Sequence, residues 1–463
     1  MGQFVILQAM NSYDTDDIIF ALATPWGKSA IAVLRVSGEG CIKALKPVFS
    51  SHRRLEKCPS NTAVYGRLKD LDGEPIDEVV ITAYKNGHGY TGEEALEISC
   101  HGGLQVIKAS LALMSKLGFR QALPGEFTLR AFLKEKLDLT RAEAVEELID
   151  SQGRTGQIMA LNRLSGSLFN RISKIKDILL SIMSTVEVQL DYSEDEIGED
   201  LDFPIGKLNK AIADLNKIRL SYKAGRLYAQ GARVVLAGPS NAGKSSLFNF
   251  FLKEDRSIVS STKGTTRDFI EAQCNIEGIP IRLYDTAGFR EASQVNVDEV
   301  ELEGMKRSRS LLDAADVIVY MRDATSWDDD SNEALLSDPR CIVVENKHDL
   351  DPMRVAPDGV VQLSCVTGEG FDELCSRIGE LLTQDISRTS DEALVIQSER
   401  QKENLERCIE SLNAAKMALD MSLPLDIISM DIQEALEALG ELTGEVTTDD
   451  ILDKIFGSFC VGK

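Results

Sequence analysis

Histidine is scarce in this chain, with four in 463 residues, and tryptophan is scarcer, with two. His52, His88, His101 and His348 are too dispersed to assemble a metal site, and the adjacent Cys100 and His101 read as a strand end. The nine cysteines run from Cys41 to Cys460 without a CxxC pair, so they read as free thiols in a reducing compartment, with no disulfide or zinc framework. No apolar run reaches the ~18 residues that a spanning helix needs, which excludes a transmembrane chain and leaves no membrane partner to expect. The apolar start Phe4 to Leu7 lacks a basic flank and runs into Asp14, Asp16 and Asp17, unlike a secretion signal, so a cytoplasmic location is expected. Positive charge is the last shortage. Lys and Arg number 51 against 74 Asp and Glu, a formal net charge of −23, which disfavours nonspecific attraction to nucleic-acid phosphates. Arg53-Arg54 and the stretch from Lys207 to Lys223, with Lys210, Lys217 and Arg219 between, are the local basic candidates, and both also read as solvated faces.

What is present is the composition of a globular protein, 43% hydrophobic and 27% charged, long enough for about three domains. From Ile18 to Lys136, β-rich runs (Ile31 to Val36, Val79 to Ala83, Leu96 to Ser99) alternate with Gly/Pro turns around a helical stretch from Leu104 to Leu117. We assign residues 1–137 to an N-terminal α+β domain. At Thr140-Arg141-Ala142-Glu143 a capping-box spacing precedes apolar residues at helical steps: Leu161, Leu164, Leu168, Ile172, Ile175, Leu179. Beyond the acidic turn Asp191 to Asp200 the period continues through Leu208, Ile212, Leu215 and Ile218, giving a helical segment over 138–228. Residues 229–384 then alternate strand and helix, and helical periodicity returns over 385–463 with Leu394, Leu405, Ile409, Leu412 and then Ile427, Ile428, Ile432, Leu436 and Leu439. Helices on both sides of an α/β unit predict a P-loop domain inserted into a helical domain, because domain termini usually lie close together. Two separate helical domains are the alternative.

The α/β unit carries three motifs in order. Strand Arg233 to Ala237 leads into Gly238-Pro239-Ser240-Asn241-Ala242-Gly243-Lys244-Ser245, followed by Ser246. Such a turn points backbone N–H groups at phosphate oxygens and leads into the positive end of a helix. Lys244 should reach the β- and γ-phosphates and Ser245 should ligate Mg²⁺. Asp285-Thr286-Ala287-Gly288 ends the strand Ile281 to Tyr284, placing a carboxylate near the metal shell and the Gly288 N–H toward the γ-phosphate. Asn346-Lys347-His348-Asp349 follows the strand Cys341 to Val344. Asp349 can accept from both N1–H and the 2-amino group of guanine, whereas adenine offers neither, so GTP is the expected ligand. Ser364-Cys365-Val366, after Val360 to Leu363, would close the base pocket through its backbone. The position after Gly288, where Ras-like GTPases carry a water-orienting Gln, is Phe289; hydrolysis must recruit another group, from the acidic run Asp298 to Glu303 or from Arg290.

The chain resembles the MnmE (TrmE) family of tRNA-modification GTPases. The resemblance rests on Asn241 to Ser246, on Gly264-Thr265-Thr266-Arg267-Asp268, on Leu123-Pro124-Gly125-Glu126-Phe127-Thr128-Leu129-Arg130-Ala131-Phe132-Leu133 with Lys136 to Leu139, and on Phe459-Cys460-Val461-Gly462-Lys463. It implies a homodimer whose GTPase is stimulated by K⁺, held by Asn241, Ser260, Thr262 and Thr265, with Thr266 on Mg²⁺ and Ser261, Lys263 and Gly264 also at the nucleotide. A cation beside the β/γ bridge neutralises charge as an arginine finger does. The catalytic acid maps to Glu301, with Glu299 a rival, because Gly288 to Glu301 is a few residues longer than is usual in the family. The resemblance further implies 5-formyltetrahydrofolate or methylenetetrahydrofolate at Arg35, Glu97, Lys136 and Lys463, chemistry suited to a pterin and a glutamate tail. Lys134-Glu135 departs from the family's usual Asn-Gly or Asn-Asp. Cys460 is implied at a modification centre formed with an FAD-dependent, MnmG (GidA)-type partner in a heterotetramer, acting on the wobble uridine of tRNA. A ribosome-assembly GTPase switch without modification chemistry is the competing reading.

Overall fold

In Ile31–Ser37 every second residue is apolar, so that Ala32, Leu34 and Val36 share one face and Val33 and Arg35 the other, the two-residue period of a half-buried strand. A computed structural model describes residues 15–85, 87–151, 153–191, 203–253, 271–285, 309–325, 333–384 and 395–463, and divides them into two compact units. The first comprises residues up to Glu146, Arg163–Leu215 and Glu403–Lys463; the second comprises Glu147–Asn162 and Asn216–Lys402.

In the first unit, β1 (Ile19–Leu22), β2 (Ile31–Ser37), β3 (Thr62–Lys69), β4 (Pro75–Tyr84), β5 (Ala95–His101) and β6 (Arg120–Gln121) form a sheet in the order β3-β4-β5-β2-β1-β6. Only β1 and β6 pair in parallel. Two short helices, α1 (Cys41–Ala44) and α2 (His52–Lys57), connect β2 to β3. Helix α3 (Leu104–Lys116) covers one face with Ile107, Leu113 and Met114, which are buried with Leu34, Val36, Ile81, Leu96 and Ile98. Burying each such side chain stabilises the unit by about 1.5–3 kcal/mol. Cys100 and His101 end β5.

Helices α4 (Glu126–Leu133), α5 (Leu139–Asp150) and α15 (Asp449–Phe456) share a cluster of Leu129, Phe132, Leu139, Val145, Leu452, Phe456 and, just past α15, Phe459. Gly125, before α4, has φ 66°, and a Cβ there would lie 2.5 Å from the Phe456 carbonyl, so the close approach requires glycine. The expected capping box is displaced: Thr140 lies inside α5, and the cap is Asp138, which accepts from the Arg141 N–H (3.1 Å) and the Thr140 hydroxyl (2.5 Å).

Helices α6 (Arg154–Leu164) and α7 (Ser167–Asp191) are separated at Gly166, φ 92°. The predicted apolar steps hold within α7, where Leu168, Ile172, Ile175 and Leu179 are buried, whereas Leu161 on α6 is 46% exposed. Helix α14 (Leu425–Thr443) packs on α7 with Ile428, Ile432 and Leu439 inward, while Ile427 faces out. Leu208 and Leu215 of α8 (Ile205–Leu220) are buried, as are Leu405 and Leu412 of α13 (Glu399–Asp420). The turn 192–202 and Leu394 lie outside the described residues.

The second unit contains α9 (Tyr222–Gln230) and a sheet built from β7 (Ala232–Ala237), β8 (Glu271–Ile276), β9 (Ile279–Asp285), β10 (Val317–Asp323), β11 (Cys341–Asn346) and β12 (Val361–Gln362). Its order is β12-β11-β10-β7-β9-β8, parallel except for β8. A strand buried on both faces needs apolar residues throughout, which is what Val234-Val235-Leu236-Ala237 supplies. Helices α10 (Lys244–Lys253) and α12 (Phe371–Thr383) pack on this sheet and meet where Phe251 and Phe371 lie 4.8 Å apart. The short helix α11 (Glu333–Leu336) precedes β11. Where the chain leaves the unit, the Ile396 N–H donates to Ser221 Oγ (3.2 Å) and its carbonyl approaches Gly225 of α9 too closely for a Cβ. The protein thus combines an α+β domain, helical segments and a doubly wound P-loop α/β domain.

Candidate functional site

Strand β7 ends at Ala237, and the chain turns through Gly238 (φ 132°), Asn241 (φ 66°) and Gly243 (φ 95°) before α10 begins at Lys244. Three left-handed residues fold the backbone into a concave turn that aims N–H groups inward. Glycine is obligatory at two of them. A Cβ on Gly238 would lie 2.2 Å from the Met321 carbonyl, and one on Gly243 would lie 2.0 Å from Asn346 Nδ2. Lys244 is buried, and its amine donates to the Gly238 and Pro239 carbonyls at 2.8 and 2.7 Å, inside the turn that phosphate oxygens would enter. Ser245 Oγ donates to Asp285 Oδ2 at 2.8 Å, joining the start of α10 to the end of β9. Two adjoining hard oxygens are donors that fit Mg²⁺.

The base side is tied to the same turn. Asn346 Nδ2 donates to the Ala242 carbonyl (2.9 Å) while its Oδ1 accepts from the Cys365 N–H (3.3 Å). Lys347 adopts φ 68° and its amine meets Asp323 Oδ2 at 2.6 Å. Burial acts to raise the Asp323 carboxyl, but hydrogen bonds from Lys347 and Thr325 outweigh it and hold the group below its ordinary value. His348 is buried and starts a short 3₁₀ turn, His348–Leu350. Ser364 Oγ donates to Asp349 Oδ1 (2.6 Å) and accepts from the Val366 and Thr367 N–H groups, fixing the carboxylate. Burial pushes the Cys365 thiol up to about 11, so it stays protonated and contributes through its backbone. Ala242, Gly243, Lys244, Ser245, Asp285 and Asn346 to Asp349 are therefore gathered around one turn, with Ser364 to Val366 beside them, and Asn241 and Ser246 are exposed at its rim. Ser260 to Thr266, Thr286 to Gly288, Phe289, Arg290, Glu299 and Glu301 lie outside the described residues.

A second site forms on the first unit's sheet. Arg35 and Glu97 are cross-strand neighbours on β2 and β5, and Arg35 Nε meets Glu97 Oε1 at 3.0 Å. Tyr84 Oη donates to Glu97 Oε2 (3.1 Å), and the Arg35 guanidinium lies 5.7 Å from the centre of the Tyr90 ring, whose hydroxyl meets Thr128 Oγ1 at 2.9 Å. The chain's last residues complete it: Val461 bridges Pro124, Arg35 Nη1 donates to the Gly462 carbonyl (3.3 Å), and the Phe127 N–H donates to the Lys463 carbonyl (3.2 Å). Burial and the nearby Arg35 cation hold the Lys463 amine below the usual lysine range, against the opposing pull of Glu97 and Cys460. Three of the four expected folate residues thus converge. Lys136 instead donates to the Gly87 carbonyl (3.2 Å), bracing the 87–92 turn that carries Tyr90. Cys460 is exposed. Tyr84 and Tyr90 were not singled out by sequence; Tyr84 lies two residues beyond Thr82, the cross-strand partner of Glu97, and so on the same face of β4. Of the basic candidates, Arg53 and Arg54 are exposed on α2, and Lys207 is paired with Ser181 Oγ at 2.9 Å.

A glycine turn, a lysine within it and an Asn-Lys-x-Asp loop anchored to it define a P-loop protein of the guanine-nucleotide class. The chain matches the family descriptions "MnmE helical domain" over residues 139–460 and "GTP-binding protein TrmE N-terminus" over 18–136. It is 39% identical to the tRNA modification GTPase MnmE of Borrelia recurrentis, over 97% of this chain and 99% of that one. It is 36% identical to the protein of that name from Alkaliphilus oremlandii, again over 97% and 99%, and 37% identical to that from Treponema denticola, over 98% and 100%. The chain belongs to the MnmE family. Among solved structures, the G domain of the T. maritima FeoB iron transporter aligns with 32% of this chain and 98% of its own at 25% identity and a TM-score of 0.24, too low to carry an argument. Among the described residues, no helix is long and apolar enough to cross a membrane.

Proposed function

We propose that this chain is a GTP hydrolase of tRNA modification: a K⁺-stimulated homodimer that, with an FAD-dependent partner of the MnmG type, adds a carboxymethylaminomethyl-type group at C5 of the wobble uridine. The observation that carries the GTPase reading is Asn346, which joins the phosphate turn to the base loop while Ser364 fixes Asp349. Lys244 is placed to exchange its two carbonyl acceptors for β- and γ-phosphate oxygens, and Asp349 to accept from guanine. Mg²⁺ held by Ser245, with Asp285 behind it, would neutralise phosphate charge; K⁺ at Asn241 would do so beside the β/γ bridge.

The folate reading is supported by chemistry at the second site. The Glu97 carboxylate suits the donor edge of a pterin, while Arg35 and Lys463 suit carboxylates. Cytoplasmic location, dimerisation and a heterotetramer with the partner belong to the same proposal. Titration of the protein with 5-formyltetrahydrofolate tests it, alongside GTP turnover in K⁺ and in Na⁺. Saturable folate binding and faster turnover in K⁺ are expected; absence of folate binding refutes the modification reading, and equal turnover in the two salts refutes the cation mechanism.

A further inference from the structure

Beside the base loop stands an ion pair that the nucleotide motifs do not include. Glu345 sits on β11, between the flanking strands β10 and β12, one residue before Asn346, and is buried. A carboxylate in the middle of a parallel sheet requires a partner. Arg354 provides it across the loop: its Nε meets Glu345 Oε2 at 3.1 Å and its Nη2 meets Oε1 at 3.0 Å. The third donor, Nη1, reaches the Ala324 carbonyl at the end of β10 (2.7 Å), and the Arg354 carbonyl accepts from Gln362 Nε2 on β12 (2.7 Å). Arg354 therefore ties the three strands together, its guanidinium joining Glu345 of β11 to the carbonyl just past β10 and its backbone carbonyl taking Gln362 of β12. Only a planar fork with several donors makes these contacts at once.

We infer that Arg354, through Glu345, is a positioning residue for guanine recognition, setting where Asp349 presents its carboxylate. The inference rests on the GTP-binding reading. The base-specific component is what it governs: Asp349 accepts from the guanine 2-amino group, which hypoxanthine lacks, so the ratio of GDP to IDP affinity reports the carboxylate's position, whereas general damage to the domain weakens both alike.

Arg354→Lys keeps the charge and loses the fork. Dissociation constants for GDP and IDP, measured on the full chain by calorimetry with Mg²⁺, should show GDP weakened about tenfold and the GDP-to-IDP ratio narrowed about threefold or more, on the scale of one impaired charge-assisted hydrogen bond. GTP turnover at saturation should stay within about twofold while KM rises. Glu345→Gln, which keeps an acceptor for Arg354, should fall between the two and serves if Arg354→Lys does not fold. Equal weakening of GDP and IDP, or no weakening of either, overturns the inference. Wild-type protein binding ADP as well as GDP overturns instead the guanine reading beneath it.

Discussion

Arg130 is 1% exposed and holds the first unit's charged centre, so Arg130→Met is expected to cost far more than an ordinary surface change. Its guanidinium meets Asp17 at 2.5 Å, Glu126 at 3.1 Å and Glu93 at 3.4 Å, and also donates to the Asp17 carbonyl at 2.9 Å. Asp17 and Glu126 would keep Arg120, which meets each at 2.5 Å. Glu93, whose side chain is 8% exposed, would keep the neutral Ser37 hydroxyl at 2.8 Å and, among the described residues, no cation. Stranding a buried carboxylate costs about 3–5 kcal/mol. At about 2–4 °C per kcal/mol, the first unit's calorimetric transition should fall by about 6–20 °C. Arg120→Met, at a side chain 41% exposed, should cost at most about 1 kcal/mol. Adding Glu93→Met to Arg130→Met removes the stranded charge and should restore most of the loss. Equal effects of the two arginine substitutions, or no recovery in the double variant, would refute the reasoning.

Acid should expose the same network. Burial acts to raise the Asp17 and Glu126 carboxyls, but their hydrogen bonds to arginine outweigh it and hold both below their ordinary values. Folded-state values below unfolded ones give stability that is complete above the usual carboxylate range, near pH 4, and is lost as pH falls through the folded values; calorimetry from pH 6 to pH 3 should show this, with a shallower decline in Arg120→Met. Deleting Gly462 and Lys463 removes the contacts to Arg35 and Phe127 and should weaken 5-formyltetrahydrofolate binding at least about tenfold while GTP turnover is unchanged. Asp349→Asn should weaken GDP by about 2–3 kcal/mol and favour xanthosine diphosphate, read by competition binding.

The phosphate turn and the base loop were legible because each is a short run whose spacing alone dictates the chemistry. The same holds for the strand before each motif, where apolar runs specify burial. Long-range pairing was not legible. Glu345 and Arg354 are two charged residues nine apart, a pattern that reads as solvent-facing until strand order places Ala324 and Gln362 around them. Arg130 is similar, since nothing local announces that a cation on α4 will be fully buried. At Thr140 two signals compete, and the earlier Asp138 wins because its carboxylate reaches the third backbone N–H of the helix.

The hydrogen bond from Arg35 to the Gly462 carbonyl joins residues 427 positions apart. At synthesis rates of about 5–20 residues per second, roughly 20–85 s separate the appearance of the two partners on the ribosome. The sheet bearing Arg35 and Glu97 can be folded for most of that time, yet the C-terminal segment that closes over Arg35 is missing until the final helices have emerged. Truncated translation products would therefore carry an intact first sheet without the Gly462 and Lys463 contacts to Arg35 and Phe127, a built-in delay between having the scaffold and completing the site on it.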